Sequence, residues 1–192
     1  MEYLYVCCDS DVNFEKITSL KTLSVTEYKG DNINKLFLCK ELDTLELTSC
    51  NIRTLDGMEN TPKMQCLYLN YNRRLCDISA LKNARKTIKA LRICKCPKIS
   101  DFSVLAQLEN LEFLFLEGSN KIPNLDFLKS LPNLKTFIFD MEISDGNLLP
   151  CMRLSYAHCG KTHKHYNVRS KDLPKGVYYR GNDNIEFWRR IR

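Results

Sequence analysis

The sequence predicts an α/β solenoid in which short parallel strands form a curved sheet and short helical or 3₁₀ turns form the convex side. An apolar pattern recurs six times, its copies are almost evenly spaced, and a corner residue follows each copy at a fixed distance. The chain of 192 residues is 44% hydrophobic and 27% charged, which suits one folded repeat array with caps at its ends.

The recurring pattern has apolar residues at its first, fourth and sixth positions. Its copies are Leu20, Leu23, Val25; Leu42, Leu45, Leu47; Met64, Leu67, Leu69; Ile88, Leu91, Ile93; Leu111, Leu114, Leu116; and Leu134, Phe137, Phe139. Their first members are 22, 22, 24, 23 and 23 residues apart. Because alternate residues of a strand point to opposite faces, the last two positions of each copy are predicted to point into the core.

The corner that follows each strand needs an inward side chain that satisfies exposed backbone groups, a role for Asn with Cys as a substitute. Eight positions after each first member, the three central repeats have Cys50, Asn72 and Cys96. The outer repeats have Tyr28, Ser119 and Glu142 there and depart from the rule. Short, similar apolar stretches at 76–81 and 100–105 predict single helical or 3₁₀ turns on the convex side.

These residues resemble the leucine-rich repeat family, and within it the bacterial, internalin-like class with repeats of about 22 residues. The resemblance covers about residues 14–148. It implies a solenoid whose parallel sheet binds another protein on its concave side, without catalysis and without a cofactor.

The chain divides into an N-terminal cap with a degenerate first repeat at 1–19, six repeats at 20–149, and a C-terminal cap at 150–192. Residues 4–6 predict a first strand and residues 154–156 a last one. From Arg153 onward the chain has ten Lys or Arg against three Asp or Glu. The cap ends in an aromatic-rich set of apolar residues, the last aromatics of which we predict fold back on the array: Val177, Tyr178, Tyr179, Phe187, Trp188 and Ile191.

Outward residues of the strands form the predicted partner-binding surface. They are Tyr68, Asn70, Tyr71, Arg92, Phe113, Phe115, Glu117, Ile138 and Asp140, and Met141 is predicted to lie beside them. Exposed aromatic and aliphatic groups commonly mark interaction sites. Glu117 and Asp140 would orient a basic partner. The alternative interpretation is that the C-terminal cap folds over the same stripe.

The predicted function is a non-catalytic scaffold that binds another protein, in one version an immunity or regulatory factor of a bacterial cytoplasm. The alternative is a nucleic-acid-associated protein that uses the basic C-terminal segment. We expect a monomer with reduced cysteines and no membrane partner. We expect the cytoplasm and reduced cysteines because the start of the chain lacks the basic region of a secretory signal. We expect no membrane partner because no apolar run is long enough to span a bilayer.

One cluster of residues has the types that bind metals: Cys151, His158, Cys159, His163 and His165. Its spacing matches no standard zinc finger, so we interpret it as cap packing with surface histidines and predict no metal. The sequence has no glycine-rich phosphate loop and no Gly-x-Ser-x-Gly, so we predict no catalytic residues and no cofactor.

Overall fold

The computed structural model describes residues 3–7, 19–34 and 39–179 of the chain. The main sheet of this part has eight parallel strands: β1 (Tyr3–Cys7), β2 (Thr22–Thr26), β3 (Thr44–Thr48), β4 (Cys66–Asn70), β5 (Ala90–Cys94), β6 (Phe113–Glu117), β8 (Thr136–Phe139) and β10 (Tyr156–Cys159). Two further strands, β7 (Lys121–Ile122) and β9 (Glu142–Ile143), pair with each other. Each main strand pairs with the next one along the chain, so the chain winds as a solenoid.

The register of the sheet follows the apolar phase of the sequence. The fourth positions of the repeats are register partners and are fully buried: Leu23, Leu45, Leu67, Leu91, Leu114 and Phe137. The predicted strand phase is therefore confirmed in all six repeats. The sheet also continues without a break across both boundaries that the sequence analysis drew, at residues 19/20 and 149/150.

The two outermost strands differ in how well the sequence predicts them. Strand β1 contains the predicted 4–6 stretch and pairs in register with β2. A last strand is present as predicted, but it spans Tyr156–Cys159, so the predicted start at 154 is two residues too early. Leu154 instead ends a 3₁₀ turn, because its N–H donates to the Cys151 carbonyl at 3.1 Å. The chain needs this turn to come back from the convex side before it can enter the sheet.

The convex side carries short 3₁₀ helices, as predicted, and the described residues include no α-helix. The 3₁₀ helices are Met58–Asn60, Ser79–Ala84, Ser103–Gln107, Asp126–Ser130, Leu149–Arg153 and, within the cap, Ser170–Asp172. Two similar turns start in the same way: the Asp77 carboxylate accepts the Ser79 N–H at 2.7 Å, and Asp101 accepts that of Ser103 at 2.8 Å. Short acidic side chains thus satisfy backbone donors where each helix begins.

A single apolar core runs through the described coils between the sheet and the 3₁₀ helices. From the convex side it receives Leu55, Leu81, Leu105 and Leu131, all fully buried. Burying one such side chain stabilises the fold by about 1.5–3 kcal/mol. Because every coil adds the same kind of contact to its neighbours, stability accumulates along the array.

The residue directly after each of four strands has a left-handed backbone. These are Glu27, Ser49, Tyr71 and Lys95, with φ angles of 59°, 55°, 57° and 53°. This conformation costs roughly 1–2 kcal/mol for a residue with a side chain. Each of the four donates its N–H to the last residue of the next strand, as Tyr71 does to the Cys94 carbonyl at 2.8 Å. The strained corner therefore also links neighbouring coils.

The inward corner residue closes the remaining hydrogen bonds in the central repeats, as predicted. Asn72 is fully buried, accepts the Cys50 N–H at 2.8 Å and donates to the Leu47 carbonyl at 2.9 Å. The thiol of Cys96 points to the Leu69 carbonyl at 3.7 Å. Asn72 and Cys96 thus both form hydrogen bonds to backbone groups at their corners, and those of the amide are the stronger ones.

The corner after β8 differs from the predicted one. Met141, expected on the outer sheet face, is 1% exposed and belongs to the core. Glu142, expected at the inward corner, pairs instead with Lys121 at 3.2 Å on the surface. Strand β8 has four residues where β4 and β5 have five, so its corner begins one residue earlier and the inward position moves from 142 to 141.

Replacing Asn72 with Ala is expected to lower the free energy of unfolding by about 2–4 kcal/mol, since a buried N–H and a buried carbonyl both lose their partner. Urea unfolding followed by circular dichroism measures this change. Asn51→Ala is the matched control, because the Asn51 amide also bridges two coils but the residue is only half-buried, so water can replace the lost bond. Equal losses in the two variants would contradict the proposed role of the buried corner amide.

Candidate interaction surface on the outer face of the sheet

The concave face, as we call the sheet face that points away from the core, displays three columns of side chains. The first column is Thr22, Thr44, Cys66, Ala90, Phe113, Thr136 and Tyr156. The second is Ser24, Glu46, Tyr68, Arg92, Phe115, Ile138 and His158. The third is Thr26, Thr48, Asn70, Cys94 and Glu117. The predicted partner-binding residues in these columns thus share one face, in the predicted order.

Apolar residues of the first two columns form a second hydrophobic cluster, which we call the apolar strip. Its buried members are Cys66, Tyr68, Ala90 and Phe113, and Phe115, Ile138 and Tyr179 pack against them. Tyr68 is only 2% exposed and Phe113 only 1%. The prediction that Tyr68 and Phe113 are solvent-exposed is therefore wrong.

The physical reason is a short stretch of the C-terminal cap, residues 175–179, which we call the strap. Lys175 forms an antiparallel bridge with Tyr156, and Gly176 donates its N–H to the Ser155 carbonyl at 2.9 Å. The Tyr179 N–H then donates to the Thr136 hydroxyl at 3.0 Å. The strap thus lies on the concave face, which favours the alternative interpretation drawn from the sequence.

Aromatic rings hold the strap against the apolar strip. The Tyr178 ring forms T-shaped pairs with Phe113 and Tyr156, with ring centroids 6.4 Å and 5.0 Å apart. The Lys135 ammonium lies 4.5 Å from the centroid of the Tyr179 ring. Edge-to-face pairs add about 0.5–1.5 kcal/mol each beyond the area that they bury.

A buried carboxylate lies in the second column, on β3. Glu46 is 8% exposed, accepts the Ser24 hydroxyl at 2.7 Å and accepts the Asn70 amide at 3.0 Å. Burial raises the pKa of Glu46 above its ordinary value, while the hydrogen bond from Ser24 and the charge of Arg92 act in the opposite direction. Arg92 also stacks on Phe115, with its guanidinium 4.7 Å from the ring centroid.

At the ends of the strands the concave face stays open, and we call Tyr71, Lys95, Glu117 and Asp140 the open strip. Tyr71 is 44% exposed and Asp140 is also exposed. The Lys95 ammonium lies 3.4 Å from the Tyr71 hydroxyl and 3.5 Å from a Glu117 carboxylate oxygen. Tyr71, Lys95 and Glu117 thus form one contact group of aromatic, basic and acidic character, and Asp140 adds a second carboxylate at the end of β8.

The structure thus divides the nine predicted residues by exposure. Tyr71 and Asp140 are exposed, while Tyr68, Asn70 and Phe113 are buried. The remaining four are half-buried: Arg92, Phe115, Glu117 and Ile138. Sequence reasoning missed Lys95 as a surface residue of this group, although its place directly after β5 matches that of Tyr71 after β4.

The cysteine and histidine cluster of the cap does not come together. Cys151 and Cys159 belong to the core, whereas His158 is an exposed residue of the concave face. His163 and His165 pack around Tyr166, and His165 Nε2 lies 3.0 Å from the Ile143 carbonyl. Burial raises the pKa of the Cys151 thiol to about 12, which disfavours the thiolate that a metal needs. Within the described ranges, no three His, Cys, Asp or Glu side chains could hold a metal ion.

Two further properties of the described residues bear on the sequence predictions. Their nine cysteines are all free thiols. None of their helices is long and apolar enough to cross a bilayer. The predicted cap residues Phe187, Trp188 and Ile191 lie outside the described residues.

The chain is similar to known proteins built from the same repeat. It is 28% identical over 133 residues to leucine-rich repeat-containing protein 56 of Rattus norvegicus, a match that covers 68% of this chain and 19% of that protein. Its fold is similar to the crystal structure of an internalin from Listeria monocytogenes, with a TM-score of 0.64 and 21% identity over 85% of this chain and 49% of that one. No protein-family model matches the chain.

The repeats, the parallel sheet and these two similarities define a leucine-rich repeat solenoid of internalin-like fold, which confirms the predicted fold class. The chain spans about a fifth of the length of the rat protein and about half of the internalin chain.

The variant Tyr178→Ala is expected to lower the free energy of unfolding by about 1–2 kcal/mol, because two edge-to-face contacts of the strap are lost. Thermal unfolding monitored by calorimetry measures it. Val177→Ala is the matched control, since Val177 is 80% exposed and is expected to change stability by less than about 0.5 kcal/mol. If both variants were neutral, the strap would not be held by Tyr178.

The buried Glu46 predicts a pH dependence of stability. A carboxyl whose pKa is higher in the folded state binds its proton more tightly there, so stability falls as pH rises from about 4.3, the ordinary glutamate value, to the folded value. Glu46→Gln lacks this titration. Its stability relative to the unsubstituted chain is therefore expected to rise with pH across that window and then stay constant, measured by urea unfolding in steps of pH. A difference that does not change with pH would contradict the burial effect.

Proposed function

We propose that the chain is a non-catalytic scaffold that binds another protein through the open strip of its concave face. The observation that carries this proposal is the exposed Tyr71 ring, held by its left-handed corner backbone beside Lys95. Tyrosine and charged groups on a rigid support are effective anchors for a partner, because little conformational entropy is lost on binding.

The charge of the open strip indicates the chemistry of the partner. Glu117 is the last residue of β6, and Asp140 directly follows β8, the next strand of the sheet. Of these two carboxylates, only that of Glu117 has a described ion-pair partner, Lys95 at 3.5 Å. Asp140 lies beside Gly160, with its Oδ1 atom 3.0 Å from where a Cβ atom on that glycine would stand. A basic partner surface would meet these carboxylates while an apolar group contacts Tyr71.

In this proposal, the scaffold acts by covering the surface of its partner, as an immunity or regulatory factor does. The leucine-rich repeat fold is compatible with this role because it presents a preformed sheet. Similarity in fold does not name the partner, so the proposal rests on the chemistry of the open strip.

Three basic side chains of the described C-terminal region bind other groups of this chain. Arg153 donates to the Leu128 and Leu131 carbonyls, and Lys175 donates to the Ala157 carbonyl at 3.0 Å. Arg169 pairs with Asp172 at 2.5 Å. These contacts account for the three side chains within the cap, while Lys161, Lys164 and Lys171 of the same region are exposed.

Tyr71→Ala and Asp140→Lys are each expected to weaken partner capture about tenfold or more, which corresponds to about 1.4 kcal/mol or more. Affinity capture from lysate with mass spectrometry identifies the partner, and titration calorimetry with the purified partner gives the dissociation constant. Glu109→Lys is the matched control, since Glu109 is an exposed carboxylate on the loop that follows the Ser103–Gln107 helix. Unchanged capture by Tyr71→Ala and Asp140→Lys would contradict the site assignment.

A further inference from the structure

A row of basic side chains lies at the edge of the sheet where the strands end, on three successive coils. Arg74, Lys98 and Lys121 form this row, and each of them is exposed. The residues that directly follow them are buried in the core at equivalent places of their coils: Leu75, Ile99 and Ile122. Arg73, beside Arg74, is exposed as well. We call Arg73, Arg74 and Lys98 the basic patch.

The basic patch is bounded on both sides along the row. On the preceding coil, the side-chain oxygen of Asn51 accepts an Arg74 N–H at 3.0 Å. On the following coil, Lys121 pairs with Glu142 at 3.2 Å. The patch therefore extends over the two coils of β4 and β5, which are neighbours in the sheet and about 4.8 Å apart.

The charge of the basic patch is not balanced by its surroundings. Elsewhere on the array, basic side chains pair with a carboxylate of the adjacent coil, as Lys63 does with Glu41 at 2.6 Å and Lys135 with Glu112 at 2.5 Å. Across the part of the chain that the structure describes, no carboxylate lies within ion-pair distance of the basic patch. Charges of one sign at neighbouring positions repel each other, and anionic groups bound from outside would remove this repulsion.

We propose that the basic patch binds an acidic segment of a partner protein, whose carboxylates pair with Arg74 and Lys98. A guanidinium presents several N–H donors in a planar fork that suits a carboxylate, and Lys98 adds a point charge on the next coil. The inference does not depend on the partner-binding role of the open strip, because the two surfaces share no residue.

The short length of the patch favours an acidic peptide over nucleic acid. Carboxylates at alternate residues of an extended peptide are about 6.6 Å apart, so long basic side chains on two neighbouring coils reach a pair of them. A nucleic-acid strand carries a phosphate at every nucleotide and would continue beyond the patch. Towards the C-terminal coils it would meet the carboxylates of Glu117, Asp140 and Glu142, which repel it.

The binding of a rhodamine-labelled peptide of alternating glutamate and serine, measured by fluorescence anisotropy at low ionic strength, tests the proposal. Arg74→Glu and Lys98→Glu are each expected to weaken binding about tenfold or more, because the peptide carboxylates lose an attractive charge and meet a repulsive one. Lys98→Arg keeps the charge and is expected to bind like the unsubstituted chain. A peptide with glutamine in place of glutamate is expected not to bind, and equally tight binding of that peptide would overturn the proposal.

Lys82→Glu is the matched control, since Lys82 is exposed on the Ser79–Ala84 helix of the convex side and its substitution changes the net charge by the same amount. It is expected to weaken binding less than about threefold, through the net charge alone. Equal losses in all three glutamate variants would overturn the proposal, because binding would then depend on net charge and not on the patch.

A single-stranded oligonucleotide with the same number of negative charges tests nucleic acid as the occupant. We expect it to bind more weakly than the acidic peptide. Tighter binding that is weakened by Arg74→Glu and Lys98→Glu would overturn the proposal in favour of nucleic acid. Asp140→Lys changes the open strip and is expected not to weaken binding of the acidic peptide, so the two surfaces are tested separately.

Circular dichroism checks that each variant is folded, which we expect because all the substituted residues are exposed. Should a glutamate variant not fold, Arg74→Gln and Lys98→Gln replace it, with Lys82→Gln as control. They remove a charge without reversing it, so the expected loss of binding is smaller but has the same direction. No loss in folded Arg74→Gln and Lys98→Gln chains would overturn the proposal as well.

Discussion

The register between neighbouring coils is the constraint on which the rest of the structure depends. Each strand pairs in parallel with the next without an offset, so Leu45 faces Leu67 and Tyr68 faces Arg92. A slip of one residue would turn every core leucine towards solvent, and the hydrophobic energy of the array would be lost. The corner bonds, such as that from Asn72 to the Leu47 carbonyl, fix this register at the point where the chain leaves the sheet.

The sequence was sufficient to predict the solenoid, the phase of its strands and the central corners. It was sufficient because these features depend on residues about one repeat apart, and the same pattern occurs six times. The corner after β8 was not predictable in this way, since this strand is one residue shorter and Met141 takes the inward place expected for Glu142. The start of the last strand was misplaced because the residues of the 3₁₀ turn at Leu149–Arg153, which precede this strand, show no repeat pattern.

The sequence was sufficient to predict which residues of the candidate site share one face of the sheet. It was not sufficient to predict which of these side chains are exposed to solvent. Whether Tyr68 and Phe113 face solvent is decided by the strap, which returns from a distant part of the sequence. A periodic sequence pattern does not predict a contact between the strap and a strand so far away in the sequence. The structure thereby separates two surfaces that share one sheet: an apolar strip that the chain itself begins to cover, and an open strip at the strand ends, where Tyr71 and Asp140 are exposed.

The cysteines have a consequence for how unfolding of this molecule can be followed. Seven of the nine described cysteines are buried, and they are spread along the array: Cys39, Cys50, Cys66, Cys94, Cys96, Cys151 and Cys159. Burial raises the pKa of Cys50 and of Cys96 to about 11, so both thiols are protonated and unreactive while their coils are closed. In a linear array, neighbouring coils can open separately. Each buried thiol therefore marks one position along the solenoid, and the order in which thiols become alkylated gives the order in which coils open.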